Sequence, residues 1–333
     1  MQRKAEIRIG IDLMGSENSP QILLQTTKSL ASELPPHVQL IAIGAPHLAD
    51  DAGLPYVSAS ETIEMDESPL AAIRRKSDAS LCVGLRMLKE KKIDGFVSAG
   101  NTGALVCSAK MTLSMMPGLL RPALLALMPT QRRPIAVLDV GANVQCRAAH
   151  LLQFALMGAA YQRARQIPLP SVGLLNVGSE AVKGTSQLRL AYQLLQREAE
   201  QAEPFFRFAG NIEGKEVFNG GIDVLITDGF TGNVFLKTAE GLANLVLDKL
   251  NQNLPQNILD QMQDQLIDLK RHLHYAEYPG ALVCGVQGIV IKCHGYSSPE
   301  AFASGIREAI RIASEWFLQI IQNKLLGRSA LKK

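Results

Sequence analysis

The sequence predicts an α/β fold in which helices cover both faces of a mixed, mostly parallel sheet. Short runs rich in Val, Ile and Leu alternate with longer amphipathic stretches, the pattern of a sheet buried on both sides. Six of these runs end in Gly-, Asn- or Asp-containing turns. A 333-residue chain that is 47% hydrophobic and 20% charged can also bury a large core.

Taken in order, the strands are expected at Ile7 to Asp12, Val38 to Gly44, Gly95 to Ser98, Ala123 to Met128, Ile135 to Val140, Ser171 to Val177, Phe205 to Ala209, Ile222 to Thr227 and Gly288 to Lys292. Helical periodicity fills 20–33, 68–92, 101–115, 147–165, 180–199, 232–275 in one or two pieces, and 299–325, several opening on Ser, Thr or Asn caps. The runs 123–128 and 135–140 are separated only by residues 129–134, too short for a crossover helix, so an antiparallel hairpin is expected there. Pro168-Leu-Pro170 marks a stiff turn, but no repeat or linker divides the chain. One domain over 1–333 is expected, with a helical excursion at about 232–285.

Composition excludes several classes. A net charge of +3 does not predict a nucleic-acid partner, so an anion must be bound locally. Five scattered cysteines, Cys82, Cys107, Cys146, Cys284 and Cys293, read as core thiols of a reducing compartment. No signal peptide or run of about 18 apolar residues is apparent, so a cytoplasmic or at most peripheral membrane protein is expected. G-x-G-x-x-G, G-x-x-x-x-G-K-[ST], H-E-x-x-H, C-x-x-C and G-x-S-x-G are all missing, and no cofactor or metal is expected.

The polar chemistry collects where strands end: Asp12-Leu-Met-Gly15-Ser16, Ser98-Ala-Gly100-Asn101-Thr102-Gly103, Asp139-Val-Gly141-Ala-Asn143, Asn176-Val-Gly178-Ser179, Gly210-Asn211 and Asp228-Gly229-Phe-Thr231-Gly232-Asn233. In open α/β sheets ligands lie outside the carboxyl ends of strands, so the set points to one cleft, although each turn alone reads first as ordinary turn and capping chemistry. Residues 98–104 place small residues where backbone N–H groups approach an anion at a helix start, with phosphate the natural candidate. Lys237 lies one turn past Asn233, and Lys183, Lys292 and Arg121 occupy similar loops, each also readable as a surface charge. His294, after a strand and before Gly295-Tyr-Ser-Ser298, is a candidate acid or base or a structural histidine. Arg74-Arg75-Lys76 reads as a solvated helix face or as a contact for an acidic partner.

In sequence order these blocks resemble the PlsX-type phosphate acyltransferases of bacterial phospholipid synthesis. The resemblance rests on Ile-Asp-Leu-Met-Gly at 11–15, Ala-Ile-Arg-Arg-Lys at 72–76, Ser-Ala-Gly-Asn-Thr-Gly-Ala-Leu at 98–105, Arg-Pro-Ala-Leu at 121–124, Leu-Asp-Val-Gly-Ala-Asn-Val at 138–144, Val-Gly-Leu-Leu-Asn-Val-Gly at 172–178, Gly-Asn-Ile-Glu-Gly at 210–214, Thr-Asp-Gly-Phe-Thr-Gly-Asn-Val at 227–234 and Val-Ile-Lys-Cys-His-Gly at 290–295. Departures are Ser16-Glu17-Asn18 where the family has Gly-Asp-His, Gln145 where Asp is common, and an extra Tyr296.

The resemblance implies a three-layer α/β/α sandwich similar to the isocitrate and isopropylmalate dehydrogenases, usually as a homodimer. It implies reversible transfer of a fatty acyl group from acyl carrier protein to inorganic phosphate, giving acyl phosphate for a membrane glycerol-3-phosphate acyltransferase. An acyl thioester is already activated, so phosphate can attack directly if donors hold the dianion and the developing oxyanion. The expected assignments are Asn101, Thr102 and Gly103 with Lys183 at phosphate, Asn143, Gly232 and Asn233 at the carbonyl or a second phosphate edge, and Asp228 with His294 for polarisation or proton handling. Lys237, Lys292, Arg121 and Asp12 are expected among the substrate-binding residues, and Arg74, Arg75 and Lys76 at the carrier protein. An apolar slot for the acyl chain is expected on Ile258, Met262, Leu266, Ile267 and Leu269, which equally suit a dimer core or a peripheral membrane contact. The alternatives are a non-catalytic carrier-protein-binding scaffold and a phosphate acyltransferase using coenzyme A thioesters.

Overall fold

Apolar runs become buried strands, and the helices that cover them do so through small residues. The computed structural model describes residues 6–273, 280–315 and 317–330. Its contacts group into two compact units, residues 1–126, 160–168 and 279–333 in the first and 127–159 and 169–278 in the second.

The first unit contains β1 (Ile7–Asp12), β2 (Val38–Gly44), β3 (Tyr56–Ser58), β4 (Gly95–Ser98), most of β5 (Ala123–Met128), and, after the second unit, β10 (Ala281–Cys284) and β11 (Ile289–Lys292). Their spatial order is β3-β2-β1-β4-β11-β10-β5. β3, β2, β1, β4 and β11 run parallel. β10 is antiparallel to both β11 and β5, which makes the sheet mixed. β3 and β10 lie outside the predicted strands, and β10 falls inside the stretch expected to be helical to about 285.

Helices α1 (Pro20–Glu33) and α10 (Pro299–Ser314) pack on one face, and α3 (Ser80–Lys89) with α4 (Thr102–Leu113) on the other. Phe96 and Val97 on β4 show why: consecutive strand residues point to opposite faces. A β-carbon on Gly84 of α3 would fall 2.0 Å from the Phe96 ring, and one on Gly305 of α10 would fall 2.4 Å from Cys293 Sγ and 3.9 Å from Val97. The expected helix 68–92 is two pieces, α2 (Pro69–Arg75) and α3, because Glu61 draws off the chain between them. Its carboxylate accepts the Asp78 N–H at 2.9 Å and its carbonyl the Ser80 N–H at 3.3 Å.

The second unit holds β6 (Ile135–Leu138), β7 (Ser171–Leu175), β8 (Arg207–Ile212) and β9 (Val224–Ile226) in the order β6-β9-β7-β8, all parallel. The two runs expected to form a hairpin, 123–128 and 135–140, fall largely in different units. α5 (Ala148–Ala164) covers this sheet where Gly158 lies against Val224 and Leu138. α6 (Ser186–Ala199) packs on β8. The expected long helical stretch is α7 (Gly229–Asn253), α8 (Gln256–Gln261) and α9 (Gln263–Leu273). α11 (Phe317–Ala330) closes the first unit's chain. Among the described residues no helix is long and apolar enough to cross a membrane.

Candidate active site

Parallel pairing puts the carboxyl ends of β1, β4 and β11 on one rung, with Asp12, Ser98 and Lys292 as their last residues. Asp12 is 1% exposed. Ser98 Oγ donates to its Oδ2 at 2.7 Å, and the Met14 N–H to its Oδ1 at 3.0 Å. Burial raises the Asp12 carboxyl above the ordinary range, against hydrogen bonds from Ser80, Ser98 and Met14 and the attraction of Lys292. The Lys292 ammonium is itself buried and donates to the carbonyls of Ala99 and Cys293. Asp12 and Lys292, expected to meet substrate, are thus built into the floor under the β4 loop.

That loop starts at Gly100, whose N–H donates to Ser98 Oγ at 3.1 Å. Asn101 caps α4: its Oδ1 accepts the Ala104 N–H at 3.0 Å. Its Nδ2 donates to the carbonyls of Glu64, Met65 and Glu67 at 3.2, 2.9 and 3.2 Å. The amide expected at phosphate is therefore engaged in tying down the 64–67 turn. What the loop offers an anion is the first turn of α4, Thr102 and Gly103, at the positive end of a 12-residue helix.

Gly15 (φ +67°) lets the loop after β1 pass against the Ile63 carbonyl, where a β-carbon would sit 2.7 Å away. Beyond β11, His294 is exposed, accepts the Tyr296 N–H at Nδ1 (3.2 Å) and stacks on the Tyr296 ring at 6.4 Å. Arg121 lies exposed on the loop before β5. Arg74 and Arg75 are exposed at the end of α2, and Arg75 and Lys76 both reach Glu67, Arg75 at 3.6 Å. The Glu64 N–H and Lys76 hold the Glu67 carboxyl below its usual range.

In the second unit the organising group is Asp139, which is fully buried after β6. Its Oδ1 accepts the N–H groups of Gly141 and Ala142 at 3.1 and 2.9 Å. Its Oδ2 accepts the N–H and the side-chain amide of Asn143 at 2.7 and 2.8 Å. The Asn143 carbonyl then takes the Gly229 N–H at 2.7 Å. A β-carbon on Gly232 would fall 2.0 Å from the Asp139 carbonyl, so only glycine admits this approach of α7 to the β6 loop. Asp228 caps α7, accepting the Thr231 N–H at 2.8 Å and its hydroxyl at 2.9 Å. Asn143, Asp228 and Gly232 are therefore brought together, with exposed Asn233 in the same helical turn.

Lys183 stands on the loop between β7 and α6, 48% exposed and 3.8 Å from Glu180. Buried Asn176 and Asn211 hold that loop by donating to the carbonyls of Lys183 (3.2 Å) and Glu180 (2.8 Å). Lys237 pairs with Glu240 at 3.0 Å further along α7.

Two of the cysteines offer little nucleophilic chemistry. Burial pushes the Cys293 thiol up to about 12, and the Cys82 thiol also rises through burial.

The sequence model of a family described as "Fatty acid synthesis protein" matches residues 7–319. A phosphate acyltransferase of Chlamydia caviae is 41% identical over 320 residues, covering 92% of this chain and 95% of that protein. One of Desulforamulus reducens is 39% identical over 320 residues, 93% of each. The chain belongs to the phosphate acyltransferase family.

Solved structures support the fold class. A branched-chain phosphotransacylase from Enterococcus faecalis superposes with a TM-score of 0.62 at 14% identity, covering 93% of this chain and 99% of that one. A 4-hydroxythreonine-4-phosphate dehydrogenase from Klebsiella pneumoniae gives 0.53 at 11% identity over 92% and 100%. This likeness to a dehydrogenase fits the expected α/β/α architecture.

For a phosphate acyltransferase, the sequence reading named the loops and missed the groups that shape them. Asp139 lies in the Leu-Asp-Val-Gly-Ala-Asn-Val segment at 138–144, where the sequence alone assigns it no role. Ser98, Asn176 and Asn211 are expected at the cleft as members of the strand-end set, without a role of their own. The signal available is position: each sits in or just after the last residues of a strand.

Proposed function

We propose that the chain transfers a fatty acyl group from acyl carrier protein to inorganic phosphate, forming acyl phosphate for phospholipid synthesis in the cytoplasm. The observation that carries this reading is the pairing of a family match over residues 7–319 with strand-end loops that open helices at their positive ends. One such loop opens α4 at Thr102 and Gly103, and another, whose N–H groups at residues 141–143 are held by Asp139, seats the start of α7 through the Asn143 carbonyl. Donors fixed before the reaction stabilise phosphate and a developing oxyanion without reorganisation, and direct attack by phosphate on a thioester calls for no enzyme nucleophile.

In this reading Thr102, Gly103 and Lys183 serve phosphate. Asn143, Gly232 and Asn233 serve the carbonyl, and His294 and Asp228 handle polarisation or the proton. Asn101, Asp12 and Lys292 act by holding their loop. Exposed Arg74 and Arg75 supply positive charge for an acidic carrier protein.

The test is to incubate the protein with long-chain acyl carrier protein and phosphate and trap acyl phosphate with hydroxylamine. Product from the carrier-protein thioester supports the reading, product only from coenzyme A thioesters replaces the donor, and no product from either leaves a carrier-protein scaffold.

A further inference from the structure

The loop after β1 clamps the loop that carries His294. Ser16 Oγ donates to the Gly295 carbonyl at 2.9 Å, and the Glu17 N–H reaches the same oxygen at 3.2 Å. Asn18 Nδ2 donates to the Ser297 carbonyl at 2.7 Å and lies 3.5 Å from the Gly295 oxygen. These bonds join segments about 279 residues apart in the chain. The Ser297 hydroxyl and N–H both return to the His294 carbonyl, at 2.7 and 3.1 Å. Gly295 is tightly enclosed: a β-carbon would meet Glu17 Oε1 at 3.0 Å and Met65 Cε at 3.1 Å.

The clamped oxygen and the N–H that meets the histidine belong to one peptide group. In a planar trans peptide the C=O and N–H point in opposite directions. Holding the Gly295 carbonyl toward Ser16 and Asn18 therefore turns the Tyr296 N–H toward His294 Nδ1, which accepts it at 3.2 Å. A neutral imidazole that accepts at Nδ1 carries its hydrogen on Nε2.

We propose that Ser16 and Asn18 are positioning residues that set the tautomer and aim of His294 for acyl transfer, acting through the Gly295–Tyr296 peptide. The proposal rests on the phosphate acyltransferase reading for its activity arm, while its geometric arm stands alone.

The experiment compares wild type with Ser16→Ala, Ser16→Thr and the Ser16→Ala/Asn18→Ala double variant, each checked for a retained fold by thermal melting. Ring 15N resonances of His294, assigned by their loss in His294→Gln, report the tautomer. In wild type Nε2 is expected to carry the hydrogen, and in the double variant both tautomers are expected. Misplacing a reacting group by about 1 Å costs up to about a hundredfold. Accordingly, kcat for trapped acyl phosphate should fall at least about tenfold in the double variant, with KM for phosphate within about twofold. Ser16→Thr, which keeps the hydroxyl, should recover the Ser16→Ala loss.

Unchanged ring resonances in the double variant overturn the proposal, as does a changed tautomer with wild-type kcat. A wild type that makes no acyl phosphate defeats the functional reading instead, and the ring resonances then decide the positioning claim. Should the double variant fail to fold, Ser16→Ala supplies the same comparison.

Discussion

Asp139 holds Asn143 twice, by the backbone N–H at 2.7 Å and by the side-chain amide at 2.8 Å, on the same carboxylate oxygen. With the N–H groups of Gly141 and Ala142 on the other oxygen, one buried carboxylate sets the course of a whole loop. The same loop seats the start of α7 through the Asn143 carbonyl and the Gly229 N–H.

Asp139→Ala should therefore be costly both ways. Each hydrogen bond to a charged group is worth about 1.5–3 kcal/mol, and the stranded buried donors add desolvation cost. A stability loss of about 3 kcal/mol or more is expected in denaturant melts, with acyl-phosphate formation down at least about a hundredfold, the scale of losing a transition-state donor. A variant that melts like wild type removes Asp139 from this organising role.

Asn101→Ala separates holding a loop from holding phosphate. Loss of the α4 cap costs about 1 kcal/mol, and three carbonyls at 64–67 lose their donor. Activity should fall at least about tenfold, and stability should fall with it. Lost activity at unchanged stability would return the amide to the ligand.

How much of this was legible follows from the range of the interactions. Eight of the nine predicted strands are present because their signal, an apolar run that is mostly buried, is local, while the other, expected at 205–209, is displaced as β8, most of which is exposed or half-buried. β3 was missed because three residues at a sheet edge, of which two are half-buried and one exposed, carry too short a pattern. β10 was missed because Ala281–Cys284 falls at the end of the stretch expected to be helical to about 285, and four residues carry too short a pattern to break it. The break between α2 and α3 is imposed by Glu61, whose contacts lie 17 or more residues away. The same reason explains Asn101: its residue type and position announced a cap, while its three other partners lie 34–37 residues upstream.

Asp12 gives a pH signature with a definite sign. Burial, the largest influence, raises its folded pKa above the ordinary 3.8, so the folded state binds this proton more tightly than the unfolded chain. Its contribution is fully present below about pH 4 and is lost as pH rises through the folded value. Asp12→Asn removes that dependence. Between about pH 4 and about pH 7, wild type should lose stability relative to Asp12→Asn in paired denaturant titrations. The opposite slope would mean that the hydrogen bonds from Ser80, Ser98 and Met14, together with the attraction of Lys292, outweigh burial.

Lys183→Ala tests a cation with little structural duty. Its side chain is 48% exposed and its partner Glu180 is 61% exposed at 3.8 Å, so their pairing adds at most about 1 kcal/mol, and screening by solvent lowers that further. The loop beneath is held by the Asn176 and Asn211 amides on backbone carbonyls, which the substitution leaves in place. The variant should melt within about 0.5 kcal/mol of wild type, as surface substitutions do. Its acyl-phosphate formation should nevertheless fall at least about tenfold, because a cation that offsets phosphate charge has no substitute in the methyl group of alanine. Lys183→Arg should recover part of the rate by restoring charge, though with altered donor geometry. Wild-type turnover in Lys183→Ala would remove this residue from the site and leave the phosphate to backbone donors such as those opening α4.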